Sequence, residues 1–412
     1  MLPALLISAF PHQSSPLFVP EAGYARPANR VAGNKGLRIL FVRTSFANEI
    51  DPAVSRHTEE RLKKIGAQLD GFFKIQSYGQ LSVAKVEVTP VLKLRASDMY
   101  EVEDANGKEI PRKDRRTIAS DATAAARTVL NRNIRSEFDL ICYLVNASPT
   151  KGRLVKRGVG AFATGPQTSV FFTPEPGWRL FAHEMGHCFG FPHSWSLTSK
   201  KKDQTIPERA DRTFTEYGDA LSPMGRGSNS YSLVERYRMG WIGKNPSDQR
   251  YIQKFSPGAL SFGAYDRPDA NGLVGGYLEV DLGLEQKELV SRREDPDEDR
   301  DAVLPSTTAG PQRLWLSVVT RGNLEETVMK DLEKPLLLVH VTALTGAKPP
   351  ATQVNLDLTP AGEEKRARAL ESRGISPGES ATLRLKDGRT LTLTFSDYQR
   401  DSNRATIETS IR

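Results

Sequence analysis

The stretch HEMGHCFGFPH, residues 183–193, holds three of the chain's six histidines and decides how the rest of the sequence reads. Trp178, Phe181, Ala182, Met185 and Phe189 recur around it at helical spacing and give an apolar face. His183 and His187 are four apart, a rise of about 6 Å, so both imidazoles leave one other side of the helix at a separation suited to one ion. Gly190 tolerates the left-handed conformation that ends a helix, which turns the chain back and brings His193 to the same point. Three neutral nitrogens predict one catalytic Zn²⁺ with a fourth position open to water. The metal lowers the pKa of that water toward about 7 and polarises a carbonyl. Glu184, near the ion but not needed as a ligand, is the candidate general base that takes the water's proton and passes it to a leaving amine. The pattern points to peptide-bond hydrolysis. The competing reading is a surface helix with scattered histidines. The five fixed positions of H-E-x-x-H-x-x-G-x-x-H arise by accident on the order of once in 100,000 chains of this length.

Outside this stretch the composition excludes more than it identifies. With 412 residues, two domains are expected. At 38% hydrophobic and 26% charged residues the balance is that of a globular chain, and no apolar run is long enough for a membrane span. The formal charge of +7 is mild for this length and reads as solvated faces. The basic runs PRKDRR (111–116) and SKKKD (199–203) lack interleaved aromatic residues, so nucleic acid is not an expected partner. Two cysteines, Cys142 and Cys188, exclude a disulfide scaffold. Buried free thiols are the expected state, with a bond between them as the second reading. Residues 1–36 form an apolar, Pro-containing leader, either a degraded signal peptide or a disordered segment.

Along the chain, 36–46 reads as a buried strand, 52–76 as a helix and 138–145 as a second buried strand, with an Ala-rich helix between the last two. Residues 158–172 hold two short extended pieces just upstream of the histidines. Beyond residue 245, β-type runs at 276–284, 314–321, 335–344 and 381–395 suggest a β-sandwich, interrupted by a polar, mobile loop near 287–311.

The extended histidine motif resembles the metzincin zinc peptidases, whose signature continues with a methionine-containing turn. Met224, in EYGDALSPMGRG (216–227), follows His193 at the distance the class shows. SYGQLSV (77–83), YGDALSPMG and NSYSLVERYRMGWI (229–242) are similar to the gametolysin family in particular. The resemblance covers 37–245 at motif level and the remainder more loosely. It implies an α+β fold class. A metzincin-type zincin catalytic domain over 37–245, with a twisted mixed sheet, zinc helix and Met-turn, would precede a β-sandwich-like domain over 246–412. It further implies His183, His187 and His193 as zinc ligands, Glu184 as base, Met224 as the floor of the site, and a peptide laid along an edge strand within 158–172. A protein or peptide substrate met outside the cytoplasm, by a secreted or periplasmic enzyme, follows from the family.

Some metzincins place a tyrosine two residues after the methionine. Arg226 stands there, which leaves Arg226, Tyr231 and Tyr237 as candidates for stabilising the transition state. No cysteine precedes Cys142, so a thiol plug on the zinc within this chain is excluded. His340 reads as a satisfied core histidine, and His12 and His57 carry no assigned role. Two other functions compete: a surface-binding or adhesive protein with a residual zinc site, and a zinc amidase acting on cell-wall peptides.

Overall fold

Leu37–Phe46 is buried along almost its whole length, as a near-continuous apolar run requires, and it forms the central strand β1 of a first sheet. The other members are β2 (Val83–Val88), β3 (Leu92–Leu94), β4 (Leu140–Asn146), β5 (Ala161–Ala163) and β6 (Thr168–Phe171). The order is β2-β1-β4-β6-β5 with β3 also paired to β1; every pairing is parallel except β5 with β6, so among the described residues β5 is an antiparallel edge strand. The computed structural model describes residues 36–48, 57–100, 111–146, 161–165, 167–172, 175–199, 212–227, 230–267, 272–284, 311–325, 328–343, 353–356, 358 and 374–412. The expected leader, the basic run at 199–203 and the polar loop near 287–311 lie almost entirely outside these residues.

Parallel sheets need cover on both faces, and helices supply it. Helix α1 (Glu59–Gln76) starts at Thr58, whose hydroxyl accepts the Arg61 N–H, with Glu59 and Glu60 in its first turn against the helix dipole. Its Leu62, Ile65, Leu69, Phe72 and Phe73 recur every three or four residues and pack on one face of the sheet. Helix α2 (Pro111–Leu130) covers the other face through Ile118, Ala119, Ala122 and Ala126. A short α3 (Ile134–Glu137) leads into β4. Helix α4 (Trp178–Cys188) carries the histidine motif and joins α1 on the first face through Phe181, Ala182 and Met185.

A seven-stranded sheet runs in the order β8-β7-β14-β13-β12-β11-β9, from β7 (Ser194–Ser199), β8 (Arg212–Thr215), β9 (Arg250–Lys254), β11 (Gly272–Val280), β12 (Gln312–Glu325), β13 (Val328–Ala343) and β14 (Gln353–Leu356). A third, antiparallel sheet orders β10 (Gly258–Gly263), β17 (Arg404–Ile411), β16 (Thr390–Gln399) and β15 (Ser380–Arg384). Side chains alternate faces along a strand, and β12 and β13 show it cleanly. Leu314, Leu316, Val318, Leu337, Val339 and Val341 share a core with the third sheet, whereas Trp315, Val319, Leu336 and Leu338 face Leu221, Leu233 and Val234. The last two belong to helix α5 (Leu233–Arg238), opened by a capping box between Ser232 and Glu235.

The chain is therefore α+β, with several sheets and few helices. Strands from both sides of the expected 245/246 boundary share the seven-stranded sheet, because β7 pairs parallel with β14. Arg236 adds a second link. Its buried guanidinium donates to Gln76 Oε1 at the end of α1 and to the Tyr265 carbonyl, with Tyr78 and Tyr265 rings against it.

Candidate metal centre

Helix α4 stops where Gly190 takes φ 90°. The Gly190 N–H donates to the His187 carbonyl and the Phe191 N–H to the Gly186 carbonyl, both at 2.9 Å, the pair of bonds that defines a Schellman stop. The returning chain places His193 beside the helix. Its ring centroid lies 5.3 Å from that of His183 and 4.7 Å from that of His187.

Each imidazole is fixed at Nδ1. His183 Nδ1 is 2.7 Å from the Pro223 carbonyl, His187 Nδ1 is 2.7 Å from the Phe191 carbonyl, and His193 Nδ1 is 2.5 Å from Glu216 Oε1. These oxygens only accept, so Nδ1 carries the proton in all three rings. Burial lowers His183 to about 4 and His187 well below its ordinary value, so both are neutral near pH 7. The two rings on the helix therefore have bare Nε2 atoms. Those of His183 and His187 stand 3.1 Å apart with no proton between them, an arrangement that a cation relieves. Two nitrogens at Zn–N distances of 2.0–2.1 Å in a tetrahedron lie about 3.3 Å apart, so this pair is spaced as two ligands of one tetrahedral ion would be. Among the described residues this is the one cluster able to hold a metal ion.

Glu184 is buried between the two helical ligands in sequence. Met224 is fully buried against the helix, at the point where Gly186 lacks a side chain: a Cβ there would stand 2.3 Å from Met224 Sδ and 3.3 Å from Phe191 Cδ2. The turn carrying Met224 also supplies the Pro223 carbonyl to His183 and accepts the Ser194 N–H, just after His193, on the Met224 carbonyl. Gly186→Ala is expected to lower stability by about 1–3 kcal/mol through overpacking, despite alanine's better helix propensity, measured as a shift in denaturant midpoint.

The three candidates for stabilising the transition state are dispersed. Tyr231 is buried and donates its hydroxyl to the Ala182 carbonyl, bracing the histidine helix. Tyr237 packs its ring on Trp315, and Arg226 is exposed beyond the Met224 turn. His340 lies in the core, bonded through Nε2 to Asp219. Cys142 and Cys188 are free and buried.

Two acidic residues of the 216–227 segment did not stand out in the sequence. Glu216 holds His193. Asp219 is buried and gathers Ser194 Oγ, His340 Nε2 and Asn355 Nδ2 from β7, β13 and β14, together with the Leu221 N–H. An acidic residue kept inside a turn before Ser-Pro-Met was the signal for both, but such residues usually read as solvated.

Beneath the segment lies Glu235, whose carboxyl is pushed up to about 8 by burial and by the charge of Asp219, against the Ser232 N–H and Ser222 hydroxyl that favour the anion. Its folded value lies above the unfolded 4.5, so folding takes up a proton. The corresponding stability is full below about 4.5 and lost as pH rises through about 8. Glu235→Gln is expected to flatten the fall in melting temperature between pH 5 and 9 by about a few degrees. An unchanged slope would show that Glu235 is not the group responsible.

In comparison with known proteins, no family model matches the chain, and no curated protein matches it in sequence.

Proposed function

We propose that the chain is a zinc-dependent endopeptidase of metzincin type, resembling the gametolysin family, that hydrolyses proteins outside the cytoplasm. The observation that carries this reading is the convergence of three histidines, two of them on the helix that also bears a buried glutamate. A structural site needs ligands but no base.

Bound by His183, His187 and His193, zinc would supply Lewis acidity, polarising a peptide carbonyl and acidifying water. Glu184 takes the proton of the attacking water and delivers it to the leaving amine. Met224 and Gly186 fix the height of the helix over its floor. β5, the antiparallel edge of the first sheet, packs near α4 and offers its backbone to an extended peptide as one more strand. The helix packed on a sheet with this edge, and Met224 beneath it, support a zincin catalytic domain. The third sheet facing the seven-stranded sheet across one core supports a β-sandwich-like C-terminal half.

The test is metal content together with hydrolysis. The purified chain is expected to hold one equivalent of zinc, to cleave denatured casein, to lose activity on chelation and to regain it with added Zn²⁺. A chain that binds zinc yet cleaves neither casein nor cell-wall peptides would sink the enzyme reading and leave a binding protein with a residual site. Cleavage confined to cell-wall peptides would make it an amidase.

A further inference from the structure

The three ligands are not held alike. His183 and His187 stand on a helix, and each Nδ1 meets a main-chain carbonyl. His193 lies beyond the helix, and its Nδ1 meets a side-chain carboxylate instead. That carboxylate arrives by strand pairing. β7 begins one residue after His193, β8 ends one residue before Glu216, and the antiparallel register Ser196↔Thr215 to Ser199↔Arg212 brings these two ends together.

Tyr217 closes the other side. It is one of four non-glycine residues at positive φ among the described residues, at 56°, and its ring centroid lies 3.9 Å from that of His193 and 5.8 Å from that of His183. A tyrosine is unfavourable in that backbone region, and the turn keeps it there with its ring on the imidazole. The turn itself is anchored. The Gly218 N–H returns to the Thr215 carbonyl, a Cβ on Gly218 would stand 2.1 Å from Ser196 Oγ, and Asp219 next in sequence is bonded to three strands of the seven-stranded sheet.

We propose that Glu216 is a positioning residue for the third ligand. Its carboxylate, with the Tyr217 ring, clasps the His193 imidazole with Nε2 turned toward the other two, and the anion at Nδ1–H makes that nitrogen a stronger donor to the metal. The inference rests on the zinc site proposed above. It assigns to the turn after β8, and through it to the seven-stranded sheet, the grip on the ligand that the helix does not hold.

The experiment compares the full-length wild type, Glu216→Ala and Glu216→Gln in zinc affinity, by competition with a chromophoric chelator, and in the visible spectrum of the cobalt-substituted protein. Glu216→Ala is expected to bind zinc about 10- to 100-fold more weakly with an altered cobalt spectrum, while the melting temperature of the metal-free chain stays near that of wild type. Glu216→Gln keeps an oxygen that accepts from Nδ1–H and loses the charge, so it is expected to fall between, several-fold weaker than wild type. Zinc affinity within about twofold of wild type in the variants overturns the proposal. Should Glu216→Ala not fold, the near-isosteric Glu216→Gln decides by the same criterion. A wild type that takes up no zinc sinks the metal reading itself, whereas a wild type that binds zinc with unaffected Glu216 variants removes only the role of Glu216.

Discussion

Glu184→Gln is expected to retain its zinc and to lose about 10²- to 10⁴-fold in turnover on casein, the range for removing a positioned general base. The two effects separate because the residue does separate work. All three Nε2 donors belong to histidines, and each Nδ1 bond that orients them goes to a partner other than Glu184. Glutamine has almost the same volume as glutamate, so a residue buried in the helix can be exchanged without opening a cavity. What disappears is the ability to accept a proton and hand it on. Metal analysis, the melting temperature of the metal-free protein and initial rates on casein distinguish the outcomes. Full activity in the variant would remove Glu184 from the reaction, and lost zinc would mean that it serves the metal directly.

Asp219→Ala is expected to cost about 3–5 kcal/mol of stability, the range for breaking a buried charged network by removing one partner. The carboxylate receives Ser194 Oγ at 2.6 Å, the Leu221 N–H at 2.8 Å, His340 Nε2 at 3.1 Å and Asn355 Nδ2 at 3.2 Å, and it has no exposed surface. Burial alone would raise its pKa. The His340 bond and charge, with Ser194 and the Leu221 N–H, outweigh burial and hold it at about 2. The folded value lies below the unfolded 3.8, so this contribution is present above about pH 3.8 and lost as pH falls through about 2. Alanine would strand these four donors, and the Ser222 N–H at 3.4 Å, in the core. Urea denaturation at pH 7 measures the loss; a change under 1 kcal/mol would mean that the donors find other partners. The Met224 turn hangs from the same residue, since the Arg226 and Gly227 N–H groups donate to the Asp219 carbonyl. Alanine keeps that carbonyl, but Ser194 Oγ, next to His193, loses its acceptor, so weaker zinc binding is expected to accompany the lost stability.

Local spacing made the helical half of the centre legible. Two histidines at i and i+4 share a helix side, and only a residue at ease at positive φ could reverse the chain at 190, so the geometry of α4 follows from the nearest neighbours. Strand β1 was legible for a related reason: a run without polar alternation has to be covered on both faces. The support of His193 was not legible. Glu216 approaches it only after β7 and β8 pair, and Asp219 finds His340 only because β13 turns its even-numbered positions toward the turn. Neither fact leaves a trace in a short window. The same reason hid the pairing of β7 with β14: composition changes near residue 245, but a hydrogen-bonded ladder is indifferent to composition. The glutamate two residues before Gly218 reads in isolation as an ordinary solvated turn residue. Its place in a turn before Ser-Pro-Met is a weak signal, and its distance to an imidazole is what identifies it.

The parallel ladder of Ser194–Leu197 with Gln353–Leu356 sets an order of events during synthesis. By the time the ribosome has passed the histidine helix and the Met224 turn, the first sheet and two ligands can already be in place, but β13 and β14, which carry His340 and Asn355 to Asp219, have not yet been made. Domains generally fold in the order in which they emerge, and contacts distant in sequence close last. The turn that grips the third proposed ligand would be secured only after β14 has emerged, so a nascent chain would carry the proposed site unfinished from the Met224 turn to Leu356.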